Sequence, residues 1–173
     1  HEQDIRHMGG LKSKMPITYI TFLIGTLAIT GFPFLSGFFS KDEILLAAFE
    51  HNKIVYVLSV ISATITGLYM FRMFFVTFHG TYRNHHHSFD KVHESPWQMS
   101  VPLMILAVLS VLGGLLNLPS YLGHNVSMKL SHWLAPILPM AESHAEMSHN
   151  TEFMLVGLVV LLFALTLLYQ FMG

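Results

Sequence analysis

The chain has no cysteine, which removes disulfides, thiolate metal sites and thiol nucleophiles together. Charge is nearly as scarce: 11% of its 173 residues are Asp, Glu, Lys or Arg, against roughly 25% in soluble domains. The formal net charge is -1, so no basic field is offered to nucleic acid. The start, His1-Glu2-Gln3-Asp4, has neither an initiator methionine nor a signal-peptide pattern, and the expectation is a segment of a longer chain. No nucleotide loop, flavin motif or iron–sulfur ligand set can be drawn. What the chain has in quantity is apolar surface, with 53% hydrophobic residues, and that places it in the membrane class.

A bilayer core about 30 Å thick needs about 20 helical residues. Residues 54–80, 101–123 and 152–173 each meet that length. Residues 17–50 do not fit so simply. A single helix over Ile17 to Phe49 would run about 50 Å at 1.5 Å per residue, too long for one crossing. Two crossings would need about 40 residues and a turn, which is too many. The options left are a crossing plus a surface helix, or one crossing built from two half-helices. The sequence predicts an all-α transmembrane bundle of about four spans, the first broken near its middle.

Inside the first span lie Gly31-Phe32-Pro33 and then Gly37-Phe38-Phe39-Ser40-Lys41-Asp42-Glu43. Proline removes a backbone donor and clashes with the preceding turn, so a break is expected near Pro33. Ser40 and Glu43 have the spacing of a capping box, which predicts a new helix from Lys41 to about Glu50. Such a half-helix would leave Lys41 near the membrane midplane, where irregular backbone survives only if buried in protein or lining a cavity. Charge at that depth is costly and usually faces a water-filled or proton-relay interior. Burial and the positive end of the new helix oppose the ammonium, while Asp42 and Glu43 favour it. A lysine between such opposing influences can change protonation as a neighbouring charge approaches. The alternative is that the crossing ends at Phe39 and Lys41 snorkels to the surface.

The remaining features are weaker. Arg6, Lys12 and Lys14 before the first span, with Arg83 and Lys91 after the second, put residues 1–16 and the His-rich loop 81–100 on the cytoplasmic side. The loop 124–151 then faces outward. Ser59, Ser62, Thr66 and Tyr69 recur at helical spacing beside Gly67, a stripe suited to close packing or to a hydrated path. Arg72 reads equally as a structural anchor and as a functional charge. His79 ends the second span and is either an interfacial cap or a group passing protons at the cytoplasmic mouth. His85-His86-His87 with His93 is the densest histidine group, but consecutive residues do not converge on one ion, so no metal is expected.

Met8-Gly9-Gly10-Leu11, Lys14-Met15-Pro16, Gly31-Phe32-Pro33 and Gly37-Phe38-Phe39-Ser40-Lys41-Asp42-Glu43-Ile44-Leu45 together resemble the subunit L / chain 5 family of NADH–quinone oxidoreductase, respiratory complex I. Leu68-Tyr69-Met70-Phe71-Arg72-Met73 and Phe78-His79-Gly80 extend the resemblance, which is specific over about residues 2–83. The resemblance implies an antiporter-like, proton-translocating membrane subunit with two inverted repeats, each holding a broken helix. On it Lys41 matches the relay lysine of the second broken helix, and Asp42 the modulating acid beside it. The family's partner glutamate, first-repeat lysine and long lateral helix have no counterpart here, so the chain is expected to be one end of a relay. The resemblance places NADH, flavin, iron–sulfur clusters and quinone on partner subunits, with none bound by this chain. It makes the partners other membrane subunits of complex I, further antiporter-like subunits among them, and the lipid bilayer. A bacterial inner membrane is expected ahead of a mitochondrial one. Two other readings stay open: the large subunit of a multisubunit cation/proton antiporter, and a structural membrane module in which Lys41 only anchors a helix end.

Overall fold

A computed structural model describes residues 4–33, 35–83 and 89–116. Among these, every regular element is helical: α1 (Pro16–Thr30), α2 (Ser36–His51), α3 (Lys53–Phe78) and α4 (Trp97–Leu116), with short 3-10 turns at Ile5–His7, Leu11–Ser13 and Phe89–Lys91. The expected span 152–173, the loop 124–151 and His85, His86 and His87 lie outside the described residues.

Local chemistry sets the helix ends. Pro16 takes the first position of α1, where its missing N–H costs nothing. Gly31 closes α1 at φ 85°, a left-handed conformation that strains any residue with a Cβ. Gly31 N–H donates to the Ala28 carbonyl at 3.2 Å and Phe32 N–H to the Leu27 carbonyl at 2.9 Å. Those two bonds form a Schellman closure, and Pro33 follows at the place where the helix cannot resume. Asn52 serves two helices at once. Its N–H donates to the Ala48 carbonyl to end α2, and its side chain accepts from Ile54 N–H at 2.9 Å and Val55 N–H at 3.4 Å to begin α3.

A hairpin pivoting on one residue makes α2 and α3 antiparallel neighbours. At the other end of α3, Tyr19 and Phe22 of α1 pack on Phe74 and Phe78, with ring centroids 5.2–6.3 Å apart. The pair α1–α2 therefore lies as one broken unit along α3, which at 26 residues is about 39 Å long. Helix α4 packs against both α1 and α2. Residues 17–50 thus form two helices, α1 and α2, joined at a break rather than one continuous helix. At the break the two ends overlap: a Cβ on Gly37 would collide with the Ala28 carbonyl, so only glycine lets α2 approach α1 this closely.

The capping-box expectation is corrected. Helix α2 starts at Ser36, five residues before Lys41, and Ser40 is an exposed position in its second turn. The close Gly37–Ala28 approach docks the first turn of α2 earlier than the Ser40–Glu43 pattern implies. Lys41 thus sits beyond the first turn, where the influence of the helix dipole has largely faded. Helix α2 runs unbroken through Phe39 and Lys41.

The outer faces of α3 and α4 carry exposed Ile54, Leu58, Ile61, Ile65, Leu106, Val108 and Leu109. Both helices are long and apolar enough to cross a membrane, and their apolar outer faces suit lipid or neighbouring membrane helices rather than water. Beneath them Phe71, Phe74 and Phe78 are buried to within a few per cent. At the N-terminal side, Gly10 N–H donates to the His79 carbonyl and the Arg83 guanidinium reaches the Met8 and Val76 carbonyls. The Met8-Gly9-Gly10 segment is thereby clamped over the end of α3.

Candidate functional site

Lys41 occupies the wall of the α2–α3 hairpin. Its stem passes the backbone of Gly31, with Cδ 3.5 Å from where a Cβ would stand. The helix break thus supplies the room the side chain lies in. The side chain as a whole is half-buried, but Nζ is buried outright and has no hydrogen-bond partner among the described residues.

Beside it opens a groove of about 370 Å³, lined by Lys41, Ile44 and Leu45 of α2 and by Val55, Leu58, Ser59, Ser62, Ala63 and Thr66 of α3. The Asn52 pivot explains the pairing, because residues equally far before and after it meet across an antiparallel hairpin. Ser59, Ser62 and Thr66 from the polar stripe therefore share this space with Lys41. Thr66 hydroxyl donates to the Ser62 carbonyl at 2.8 Å, so its oxygen keeps acceptor capacity. Tyr69 and Gly67 do not line the groove. Three hydroxyl-bearing residues thus line the groove that the Lys41 side chain helps to wall.

The other expected site residues are dispersed. Asp42 is half-buried on the next helical position and does not line the groove. Arg72 is exposed on α3, beyond the groove. His79 caps α3 thirteen residues after Thr66, about 20 Å further along. Its Nε2 lies 3.4 Å from the Tyr19 hydroxyl, and its ring packs on Tyr19, Phe74 and Phe75. Burial, and then the Lys12 charge, hold its imidazole below the ordinary histidine range. No cluster of metal-ligating side chains occurs among the described residues.

One carboxylate was missed by the sequence reading. Glu94, in the segment before α4, accepts the Thr18 hydroxyl at 2.6 Å, Ile17 N–H at 2.8 Å, Ser95 N–H at 3.1 Å and Thr18 N–H at 3.4 Å. Met15 precedes α1 and its side chain makes no capping bond, so an acid from more than seventy residues away does it. Partial burial pushes the carboxyl up, and the four hydrogen bonds outweigh it, leaving Glu94 below the usual glutamate range.

Comparison with known proteins adds a family. The description NADH:quinone oxidoreductase/Mrp antiporter, TM, matches residues 1–66. An NAD(P)H-quinone oxidoreductase chain 5 of Picosynechococcus is 50% identical over 137 residues, covering 68% of this chain and 20% of that protein. The chloroplastic NAD(P)H-quinone oxidoreductase subunit 5 of Chaetosphaeridium globosum is 43% identical over 136 residues, 76% of this chain and 20% of its own length. NADH-quinone oxidoreductase subunit L of Rhodobacter capsulatus is 43% identical over 139 residues, 73% of this chain and 20% of that protein. The chain spans about a fifth of the length of these curated relatives.

Proposed function

Because the chain belongs to the antiporter-like subunit L / chain 5 family of NADH–quinone oxidoreductase, we propose that it carries part of a proton path through the membrane, coupled to NADH-to-quinone electron transfer in other subunits. The observation that carries this reading is the Lys41 ammonium, buried and unpaired at a groove with three hydroxyls. A cation so placed needs water or a mobile acid as partner, and a proton exchanged with that partner is a relay step. Lys41 holds and releases the proton, near the middle of the membrane. Asp42, its neighbour in sequence, sets how readily Lys41 gives the proton up.

His79 and Arg72 have lesser parts in this reading. His79 exchanges protons at the cytoplasmic mouth, and Arg72 anchors α3 at the membrane boundary. NADH, flavin, iron–sulfur clusters and quinone belong to partner subunits, and the direct partners are other membrane subunits of the same complex. The protein is an integral membrane protein. We place it in a bacterial plasma membrane ahead of a mitochondrial one, a choice supported by relatives such as that of Rhodobacter capsulatus.

A second reading is the large subunit of a multisubunit cation/proton antiporter, favoured by the matched description, which names both kinds of protein. The discriminating experiment is Lys41→Met in the full protein within its membrane complex. Proton transfer driven by NADH oxidation is expected to fall by on the order of tenfold or more. Undiminished transfer per NADH oxidised refutes the relay. Proton movement that needs a sodium or potassium gradient and ignores NADH selects the antiporter reading.

A further inference from the structure

The chain just after α3 folds back onto the start of the sequence, far from Lys41. Helix α3 ends at Phe78, and the last carbonyls of any helix lack intrahelical donors. Arg83 Nη2 donates to one carbonyl of that last turn, Val76, at 2.8 Å. Its Nε donates at the same time to the Met8 carbonyl at 2.9 Å, on a segment 75 residues away. A guanidinium can hold two acceptors at once because its donors are fixed in a planar fork, whereas an ammonium is a compact point charge. Backbone also meets backbone here. Gly10 N–H donates to the His79 carbonyl at 3.1 Å, and a Cβ on Gly9 would collide with the Thr81 carbonyl.

The residue caught in this clasp is His79. Its N–H donates to the Phe75 carbonyl at 3.0 Å and its carbonyl accepts from Gly10, so its backbone is held from both sides. Its ring lies on Phe74, Phe75 and Tyr19, with Nε2 3.4 Å from the Tyr19 hydroxyl. A hydroxyl both donates and accepts. It can donate to Nε2 of the neutral imidazole and accept from Nε2–H of the imidazolium, so Tyr19 serves the ring in either protonation state. The groups that face this pair are Lys12, whose Nζ stands 5.0 Å from the centroid of the Tyr19 ring, and Tyr19 itself. Arg83, on the segment after α3, turns to its two carbonyls instead. Lys12 follows Met8 by four residues, so the tie from Arg83 to Met8 also bears on where that ammonium stands.

We propose that Arg83 is a positioning residue for His79: by bridging the Val76 and Met8 carbonyls it keeps the imidazole on the Tyr19 hydroxyl and Lys12 over the same tyrosine ring. Its bearing on proton transfer rests on the reading of His79 as the group that exchanges protons at the cytoplasmic mouth. Arg83 itself touches no proton in this arrangement. It acts by holding two segments together, and the held geometry decides what surrounds the imidazole.

Carbethoxylation of His79 by diethyl pyrocarbonate, located by mass spectrometry on the resting complex in nanodiscs, tests this over about pH 5 to 8. The reagent attacks only a neutral ring nitrogen, so the pH dependence of labelling gives the midpoint of the imidazole. Arg83→Lys keeps the charge but not the fork, and the midpoint is expected to rise by about 0.5 pH unit or more as water reaches the ring and Lys12 recedes. Gly9→Ala opens the clasp from its other side with Arg83 intact, and should raise the midpoint likewise; it decides the matter if the lysine variant does not assemble. Arg83→Gln separates geometry from charge. A midpoint moved by Arg83→Gln but left at the parent value by Arg83→Lys makes Arg83 a charge acting through space, and overturns the proposal. A midpoint unmoved in every variant overturns it too. NADH-driven proton transfer is then measured against pH in Arg83→Lys and in His79→Gln. A profile that shifts with the midpoint supports the bearing on transfer. A moved midpoint with transfer unchanged in both variants removes His79 from the proton path and leaves Arg83 as the residue that positions it. Labelling is read without turnover, so its outcome is independent of whether Lys41→Met stops proton transfer.

Discussion

Removing the Glu94 carboxylate should loosen the start of α1 and little else. The acid supplies the cap that Met15 does not, taking the N–H groups of Ile17 and Thr18 and the Thr18 hydroxyl at 2.6 Å. A side-chain cap is worth about 0.5–2 kcal/mol, a hydrogen bond to a charged group about 1.5–3, and a negative charge at a helix start about 0.3–1. These overlap on one carboxyl group and are partly screened by solvent, so their sum is not the effect. Glu94→Gln keeps one acceptor and the shape, and should cost about 1 kcal/mol. Glu94→Ala loses every bond and should cost about 2–3 kcal/mol. Amide hydrogen exchange of the protein in its membrane complex resolves this locally. At 1.4 kcal/mol per factor of ten, Ile17 and Thr18 should exchange about 5-fold faster in the glutamine variant and about 30- to 150-fold faster in the alanine variant. The pH sign follows from the lowered carboxyl. Protection from this cap is complete above about pH 5, past the ordinary glutamate range, and is lost as pH falls through the folded-state value. Unchanged exchange at Ile17 and Thr18 in Glu94→Ala would refute the reasoning, as would an increase spread evenly over α1 to α4.

The two glycines at the break should fail for different reasons. Gly31→Ala costs about 1–2 kcal/mol from its left-handed φ alone, since the new methyl clears the Lys41 side chain at 3.5 Å. Gly37→Val drives a side chain into the Ala28 carbonyl, costs about 1–3 kcal/mol or more, and separates α1 from α2. Thermal melts give both costs, and amide hydrogen exchange of the first turn of α2, faster in Gly37→Val than in Gly31→Ala, distinguishes them. Lys12→Met should raise the His79 imidazole toward its ordinary value, read by NMR of labelled histidine; no change would remove the Lys12 contribution. Since burial keeps His79 neutral in the folded protein, the end of α3 should lose stability as pH falls below about 6.5, and hydrogen exchange of the last turn of α3 should show it.

How far the sequence carried the fold depends on the range of each signal. The break was legible because Gly31 and Pro33 act on their own backbone, and the lysine because charge in an apolar run is anomalous wherever it falls. The start of α2 was misread because Ser40-x-x-Glu43 fits a capping box equally well inside a helix already begun, and Leu35 gives no local sign of a helix start. The hydroxyl stripe on α3 was visible, but its partner was not, because periodicity describes one helix and says nothing of the turn that folds it onto another. Asn52 between His51 and Lys53 was the available sign of that turn. Glu94 left no trace beyond the uncapped Met15, since a contact across more than seventy residues has no spacing to read.

The single-residue pivot at Asn52 makes α2 a gauge. Lys41 meets Ser59, Ser62 and Thr66 because of the count of residues on either side of that pivot, not because of any bond between them. One residue inserted between Lys41 and Asn52 would swing the lysine about 100° around its helix and shift it about 1.5 Å along the hairpin. Every residue in the groove would survive such a change, and so would its composition. The alignment of charge with hydroxyls would not, because spacing from one asparagine, and nothing else, sets it.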